Sequence, residues 1–369
     1  MTRVFVTGTG LFTPPFAISN DELVASFNAY VKTENVKRAA SDLPPLTDSN
    51  AAFIVKASGI KSRFVMDKEG ILDPERMSPN LPERSQDELS LQSEMAVAAA
   101  HDALAAAKLS AEDIDHVIVA CSNMQRSYPA MAIEVQNALG IEGYAYDMNV
   151  ACSSATFGIQ NGVSAIRSGA ARRVLMVNPE ICSGHLDFRD RDCHFIFGDV
   201  ATAVILEGEA DAKGKAGWEI LDSKTKTVFS SNVRNDAGFL DRHDGSGPDA
   251  RNKLFHQQGR RVFKEVCPMV AALINEHLAE QNIPATELSR LWLHQANLAM
   301  NAFIAKRVLG REPTAAEAPV VLDEYANTSS AGSIIAFHKY NKDLASGSLG
   351  VLCSFGAGYS VGSVILRRC

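Results

Sequence analysis

The chain has 369 residues, 46% of them hydrophobic, which is enough for two domains or two fused half-units with sizeable cores. A formal net charge of −7 without a basic run argues against direct binding of nucleic acid. No apolar run approaches the ~20 residues of a membrane span, and Val4–Val6 is too short for a signal peptide. We therefore expect a soluble, cytoplasmic protein without a membrane or nucleic-acid partner.

The cysteines are scattered, with no Cys-x-x-Cys pair and no His/Cys cluster at metal-ligand spacing. They are Cys121, Cys152, Cys182, Cys193, Cys267, Cys353 and Cys369. An odd number in a large chain is typical of reduced thiols in the cytoplasm. We predict no disulfide framework, no metal site and no redox cofactor.

One cysteine lies where a strand changes abruptly into a helix. Apolar residues alternate from Tyr144 to Val150, as in a strand, and Val163 and Ile166 then follow at helical spacing. Cys152 lies between the two patterns. A helix N-terminus offers unpaired N–H groups and the positive end of the helix dipole, which favour a thiolate. Cys152 is therefore a candidate nucleophile, the alternative being a buried structural cysteine.

The chain contains the same unit twice, as three pairs of landmarks in the same order indicate. They pair 115–140 with 291–310, 150–169 with 326–347, and 197–206 with 355–366. We predict a half at residues 1–210 that carries the cysteine and a half at 211–369. The boundary lies in the polar segment between Gly208 and Gly217.

Strand and helix signals alternate in both halves, which predicts an α/β fold with largely buried sheets. The strand at 173–178 is mostly apolar, as expected when both faces are covered. Two polar, proline-containing segments, 32–50 and 67–87, interrupt the pattern. We expect surface loops there, and a lid over the site is the alternative.

Two further polar residues stand at the ends of predicted core strands. His294 follows the apolar run Leu291–Leu293, and Asn327 directly precedes the predicted second-half counterpart of Cys152. Separately, they would be a hydrogen-bonded core histidine and a helix N-cap. If the halves pack about a pseudo-twofold axis, equivalent strand ends converge. Cys152, His294 and Asn327 then form a candidate catalytic set.

The chemistry of this set favours thioester substrates. A thiolate attacks a thioester readily, since exchange between sulfurs is nearly balanced in energy. A neutral imidazole N–H and a carboxamide N–H₂ are uncharged donors suited to a developing enolate oxygen. The sequence suggests no carboxylate base, and loss of CO₂ needs none. We therefore predict decarboxylative carbon–carbon bond formation.

The turn Phe355–Tyr359 supplies a further candidate. Its glycines permit close backbone approach, so the N–H of Ala357 could join that of Cys152 as an oxyanion hole. A plain β-turn between two strands is the alternative.

Over essentially its whole length the sequence resembles 3-oxoacyl-[acyl-carrier-protein] synthase III of the thiolase superfamily. The most specific motifs are Ala151-Cys152, His294-Gln-Ala-Asn297-Leu298, Asn327-Thr328-Ser329 and Phe355-Gly-Ala-Gly-Tyr359. The resemblance implies a five-layered αβαβα fold of two pseudo-duplicated halves and an obligate homodimer. It implies acylation of Cys152 by an acyl-CoA or acyl carrier protein, then condensation with malonyl carrier protein aided by His294 and Asn327. No cofactor is implied, because coenzyme A only carries the acyl group.

The resemblance also assigns three surface residues. Tyr128 falls where the family carries a phenylalanine that reaches across the dimer to shape the neighbour's acyl pocket. Lys306 and Arg307 match a basic pair that faces the acyl carrier protein. The alternative for the basic pair is an ordinary solvated helix face.

The chain departs from the family pattern around the entrance. Phe53 and Ala57 stand in the segment that holds the coenzyme A adenine, Ala299 replaces a basic carrier-facing residue, and Ala357 replaces a glycine. These departures predict a primer other than acetyl-CoA, such as a medium-chain acyl group.

Other functions fit the same residues. One alternative is a synthase-III-like acyltransferase or a head-to-head condensing enzyme of secondary metabolism or long-chain ketone formation; a base near the site would favour it. Another is a non-catalytic partner subunit, against which the intact Cys152, His294 and Asn327 argue.

Overall fold

The computed structural model describes residues 2–214, 217–242, 245–247 and 250–369. The strands are β1 (Val4–Phe12), β2 (Phe16–Ser19), β3 (Ser62–Val65), β4 (His116–Ala120), β5 (Tyr144–Met148), β6 (Arg173–Ile181), β7 (Asp199–Gly208), β8 (Trp218–Ser230), β9 (Val233–Arg234), β10 (His256–Gln257), β11 (Leu288–Leu293), β12 (Leu349–Gly356) and β13 (Gly358–Arg368). The helices are α1 (Asn20–Ala40), α2 (Ala51–Ser58), α3 (Glu69–Leu72), α4 (Leu91–Ala107), α5 (Met131–Leu139), α6 (Ser154–Arg167), α7 (Glu209–Ala212), α8 (Gly259–Glu280), α9 (Leu298–Leu309), α10 (Leu322–Tyr325) and α11 (Gly332–Lys339).

Two short 3₁₀ turns matter for the site. We call Ala151–Ser153 the cysteine turn and Ser329–Ala331 the serine turn. The cysteine turn leads into α6 and the serine turn into α11, and the two turns pack against each other.

The strand order repeats between the two parts of the chain. From one edge to the centre it runs β5-β4-β6-β7-β1, with parallel pairs at the edge and antiparallel pairs toward the centre. From the other edge it runs β11-β12-β13-β8 with the same change from parallel to antiparallel. The two sets join where Val4–Val6 pairs with Trp218–Ile220. This repeat accords with a duplicated unit; the boundary at residues 210 and 211 stays a prediction.

The apolar clusters define the layers. Helices α4 and α5 pack on one side of the first set of strands, and α8 and α9 pack on the outer side of the second. Helices α6 and α11 share a central cluster with strands of both sets. This is the αβαβα order that the resemblance implied.

The segment at residues 32–50 is a loop only in its second part, which corrects the prediction for residues 32–40. Helix α1 begins in a capping box between Ser19 and Glu22 and continues to Ala40. Its exposed last turns carry charged residues, so they lack the apolar period by which a helix is recognised. Residues 41–50 then fold back along α1, where Asn28 and Asn35 hydrogen-bond the backbone of Ser49 and Leu46 at 2.7–3.1 Å.

The segment at residues 67–87 is mostly irregular and exposed, with the short helix α3 inside it. Ile71 and Met77 are its buried anchors. Among the described residues, no helix combines the length and apolar character needed to cross a bilayer.

Candidate active site

The predicted catalytic set and oxyanion-hole residues line one cavity of about 510 Å³: Cys152, His294, Asn327 and Ala357. Three of them stand at the end of a strand or in the turn that follows it, whereas Asn327, predicted at a strand end, follows the short helix α10 and forms an isolated β-bridge with Phe197. Cys152 lies in the cysteine turn after β5, His294 directly after β11, and Ala357 between β12 and β13. The remaining lining is largely apolar and includes Phe195, Phe197, Val233, Phe255 and Met300.

Burial governs the ionisation of the nucleophile candidate. Burial raises the pKa of the Cys152 thiol to about 11. Hydrogen bonds from the Ser329 hydroxyl and from the backbone N–H groups of Ala357 and Cys152 lower it in part. The expectation that the helix N-terminus favours the thiolate is therefore not met in the free protein, because desolvation outweighs the donors.

His294 is buried and neutral. Its backbone N–H donates to the carbonyl of Cys353 at 2.8 Å, and its ring meets Phe355 edge to face at 5.1 Å. Burial lowers the pKa of the imidazole to about 4. At neutral pH the ring is therefore an uncharged hydrogen-bonding group, as the sequence predicted.

Asn327 is oriented by hydrogen bonds on both its backbone and its side chain. Its N–H donates to Ile196 at 2.9 Å, and its carbonyl accepts from Gly198 at 3.1 Å. Its Oδ1 accepts the backbone N–H of Ser329 at 2.9 Å. With Oδ1 engaged, the carboxamide presents its N–H₂ group to the cavity.

The counterpart of Cys152 in the second half differs from the prediction. Ala151 and Ser329 open their turns with matching left-handed φ values of 47° and 49°. Cys152 therefore corresponds to Ser330, and Asn327 lies three residues before that counterpart instead of directly preceding it. The correspondence predicted from the sequence matched similar residue types, whereas the correspondence in the structure follows the equivalent backbone turns.

The two carboxylates nearest the site are either engaged in hydrogen bonds or exposed. Glu180 is buried near Cys152, but it accepts hydrogen bonds from the N–H and hydroxyl groups of both Ser122 and Ser330. Burial raises the pKa of Glu180 to about 6. Asp192 is the one carboxylate among the described residues that line the cavity, and its side chain is exposed.

Of the three residues predicted at the acyl pocket or its entrance, one lines the cavity and two do not. Ala57 lines the cavity, whereas Phe53 packs edge to face on Phe195 at 5.8 Å and lies under the Arg191 guanidinium at 4.1 Å. Tyr128 is 86% exposed and does not line the cavity.

The predicted basic pair also lies outside the cavity lining. Lys306 forms an ion pair with Glu312, and the Arg307 guanidinium lies 5.9 Å from the ring centre of Phe303. Sequence reasoning missed two exposed cations that do line the cavity, Arg260 and Lys264. Their spacing of four residues near the start of α8 is the signal that could have found them.

Comparison with known proteins identifies the family. A family model described as 3-oxoacyl-[acyl-carrier-protein (ACP)] synthase III matches residues 146–228, and its C-terminal companion matches residues 278–368. The beta-ketodecanoyl-[acyl-carrier-protein] synthase of Pseudomonas aeruginosa is 63% identical over 347 residues, covering 93% of this chain and 99% of that protein. The chain belongs to the 3-oxoacyl-[acyl-carrier-protein] synthase III family.

More distant relatives agree with this assignment. The beta-ketoacyl-[acyl-carrier-protein] synthase III of Rhizobium rhizogenes is 31% identical, covering 88% of this chain and 93% of that protein. The crystal structure of 3-oxoacyl-(acyl carrier protein) synthase III from Pseudomonas aeruginosa PAO1 is 25% identical and matches with a TM-score of 0.77, covering 99% of this chain and 98% of that chain. The resemblance and the thiolase fold predicted from the sequence are confirmed, and this synthase III is a condensing acyltransferase.

Proposed function

We propose that this synthase III extends a medium-chain acyl thioester, of eight carbons, by decarboxylative condensation with malonyl carrier protein. The observation that carries the chain length is the 63% identity to a synthase named for a beta-ketodecanoyl product. Malonyl condensation adds two carbons to the primer, so a ten-carbon product requires an eight-carbon primer. The product here is then a 3-oxodecanoyl carrier protein, in fatty acid or related biosynthesis.

Loading is the first half-reaction. Cys152 attacks the acyl thioester, and the donor thiol leaves with the proton that Cys152 gives up. The N–H groups of Cys152 and Ala357, which both lower the pKa of the Cys152 thiol, are the donors that we assign to the oxyanion of the tetrahedral intermediate. No cofactor takes part, since coenzyme A or a carrier protein only delivers the acyl group.

Condensation is the second half-reaction. Malonyl thioester loses CO₂, and the enolate oxygen accepts hydrogen bonds from His294 and the N–H₂ group of Asn327. Both donors are neutral and fixed before the charge develops, which is the arrangement that stabilises it most. The enolate carbon then attacks the acyl group on Cys152 and frees the sulfur. The absence of a carboxylate base at the sulfur among the described residues suits loss of CO₂ better than proton abstraction.

The apolar lining supports a long primer. Burying each additional methylene of the chain is favourable by about 0.8 kcal/mol until the pocket is full. The aromatic lining at Phe197 and Phe255 offers that surface, and Ala57 adds only a methyl group to the lining.

The assembly and the carrier-protein contacts belong to the same proposal. Strand β5 is the edge of the sheet, and its Tyr144 and Tyr146 are exposed, which suits pairing with a second copy. In such a homodimer, the exposed Tyr128 reaches the neighbour's acyl pocket. Lys306 and Arg307, together with Arg260 and Lys264 at the cavity, present positive charge to an acidic carrier protein.

A loading survey tests the primer. The protein is incubated with acyl-CoAs and acyl carrier proteins of graded length, weighed intact, and then supplied with malonyl carrier protein. We expect one adduct per chain, fastest with octanoyl donors, and a 3-oxodecanoyl product. Cys152→Ala should give no adduct, whereas Cys369→Ser, which alters an exposed cysteine, should load normally.

Each rival has its own outcome in this survey. A non-catalytic partner subunit would form no adduct with any donor. A head-to-head condensing enzyme would couple two acyl chains without malonyl thioester, and an acyltransferase would pass its acyl group to another acceptor. Fastest loading by acetyl-CoA would overturn the chain length alone.

A further inference from the structure

The serine turn places one hydroxyl against the nucleophile. The Ser329 hydroxyl donates to the Cys152 sulfur, with Oγ 3.4 Å from Sγ. Ser329 is 2% exposed and does not line the cavity, so it reaches the sulfur from the protein side. A thioester approaching from the cavity therefore meets the sulfur without displacing this donor.

Several contacts hold Ser329 in this position. Its backbone has a φ of 49°, a left-handed conformation that side chains other than glycine seldom adopt. Its N–H donates to Oδ1 of Asn327 at 2.9 Å. The next residue, Ser330, is fixed to the buried Glu180 through its N–H at 3.2 Å and through its hydroxyl. Strained backbone held by such contacts is typical of functional positions.

The duplicated turn provides an internal comparison. Ala151 occupies the same left-handed position in the cysteine turn, with a φ of 47° and only a methyl side chain. The backbone turn therefore forms without a hydroxyl. Of the two turns, the serine turn alone carries a hydroxyl at this position, and that hydroxyl faces the Cys152 sulfur in the other half of the chain.

We propose that Ser329 is a catalytic residue whose hydroxyl donates to the Cys152 sulfur and stabilises the thiolate that attacks the acyl donor. In that exchange the new bond joins the Cys152 sulfur to the acyl carbon, and the bond from that carbon to the donor sulfur breaks. The departing thiol carries away the proton of Cys152, so Ser329 keeps its own. The acyl-transfer part of this inference rests on the proposed function, but the contact with the sulfur does not.

Two substitutions separate the hydroxyl from the backbone. Ser329→Gly removes the hydroxyl and suits a φ of 49°, because glycine adopts positive φ without a Cβ clash. Ser329→Ala removes the hydroxyl and keeps the strain. Ser333→Ala is the matched control, since Ser333 is a buried serine of α11 that pairs with Ser354 at 2.8 Å.

The main measurement needs no acyl donor. The rate at which iodoacetamide alkylates Cys152 is followed by intact mass as the pH is varied, with Cys152→Ala as the blank. A hydrogen bond to a charged group is strong enough to displace the curve by about one pH unit. We expect both Ser329 variants to move it to higher pH by that amount and Ser333→Ala to leave it unchanged. Octanoyl loading near neutral pH should fall severalfold in the same two variants, since only the thiolate is nucleophilic.

Three outcomes bear on the inference. An unchanged alkylation curve in Ser329→Gly would overturn it, and so would a displacement confined to Ser329→Ala, which would assign the effect to the backbone. If the alkylation curve moves in both variants but no acyl donor loads the protein, the role of Ser329 at the sulfur is supported and the proposed function is refuted instead.

Discussion

Gly356 and Cys152 are in direct contact across the two halves of the chain. A Cβ placed on Gly356 would lie 2.5 Å from the Cβ of Cys152 and 2.9 Å from its Sγ. No side chain fits there without moving the sulfur. The end of β12 thus determines where the Cys152 sulfur stands, although the two residues are far apart in the sequence.

The first prediction concerns this contact. Gly356→Ala should displace the Cys152 sulfur from Ser329 and from the N–H of Ala357, so acyl loading should fall at least tenfold. Overpacking of this kind also destabilises a fold by about 1–3 kcal/mol. Loading rates by intact mass and urea unfolding would measure the two effects.

Gly238→Ala is the control for that substitution, because a Cβ on Gly238 meets no atom within 4 Å. It should load and unfold like the parent. Normal loading in Gly356→Ala would show that the sulfur position tolerates displacement.

A second prediction separates the two half-reactions. His294→Ala should still take up one acyl group on Cys152, and condensation of that group with malonyl carrier protein should fall by about a hundredfold or more, as expected when one oxyanion donor is lost. The measurement is a single turnover from the preloaded protein. Condensation at the parental rate would remove His294 from the mechanism.

The same half-reaction has a predicted pH dependence. Burial lowers the pKa of His294 to about 4, so its neutral form persists as the pH falls from neutral toward that value. An ordinary histidine titrates near pH 6.5. Protonation of His294 should therefore cause no loss of condensation activity in preloaded protein as the pH falls through that value. An inflection in that range that disappears in His294→Gln would contradict the neutral-donor role.

A third prediction tests carrier docking. Reversing the charges in Lys306→Glu with Arg307→Glu should raise the KM for malonyl carrier protein by about tenfold, since exposed ion pairs contribute up to about 1 kcal/mol each. Loading from acyl-CoA should stay unchanged, and the difference should shrink at high salt. Lys213→Glu, an exposed lysine beyond α7, is the control.

Equal losses in both half-reactions would indicate a folding defect rather than a docking defect. If the double variant Arg260→Glu with Lys264→Glu raised the KM for malonyl carrier protein and the variant at Lys306 and Arg307 did not, the docking surface would lie on α8 instead.

A fourth prediction concerns acid stability. His116 is buried, stacks on Tyr144 at 4.0 Å, and has no hydrogen-bond partner on either ring nitrogen among the described residues. Burial lowers its pKa from 6.5 to about 4. The unfolded chain therefore binds a proton as the pH falls below 6.5 while the folded chain does not, so stability is complete above that pH and is lost from there toward pH 4.

His116→Phe keeps an aromatic ring and removes the proton site. Between those pH values, the slope of the free energy of unfolding against pH should become shallower by up to about 1.4 kcal/mol per pH unit. Urea unfolding at several pH values measures it. The exposed His101, changed to Gln, is the control, and an unchanged slope in His116→Phe would exclude this histidine as a cause.

Much of the fold follows from local pattern. The apolar strand at 173–178 lies within the buried strand β6, and the run before His294 lies in β11. The repeated segments 115–140 and 291–310 end at Gly140 and Gly310, which end α5 and α9 in the left-handed conformation. These features depend on periodicity and end signals that a sequence carries by itself.

The end of α1 illustrates where that reasoning stops. Its last turns are exposed and charged, so no apolar stripe distinguishes them from a loop. Residues 41–50, which fold back along these turns, hold them in the helical conformation. Sequence periodicity reports burial, and it gives no signal for a helix that extends into solvent.

For this protein, the sequence by itself predicted the α/β architecture and singled out Cys152, His294 and Asn327 as candidates, because residue types and their periods are local properties. Only the tertiary structure decided the pairing of Cys152 with Ser330, the approach of Ser329 to the sulfur, and the raised pKa of the thiol. Those depend on desolvation and on contacts between residues from different halves of the chain, which exist only once the two halves have packed together.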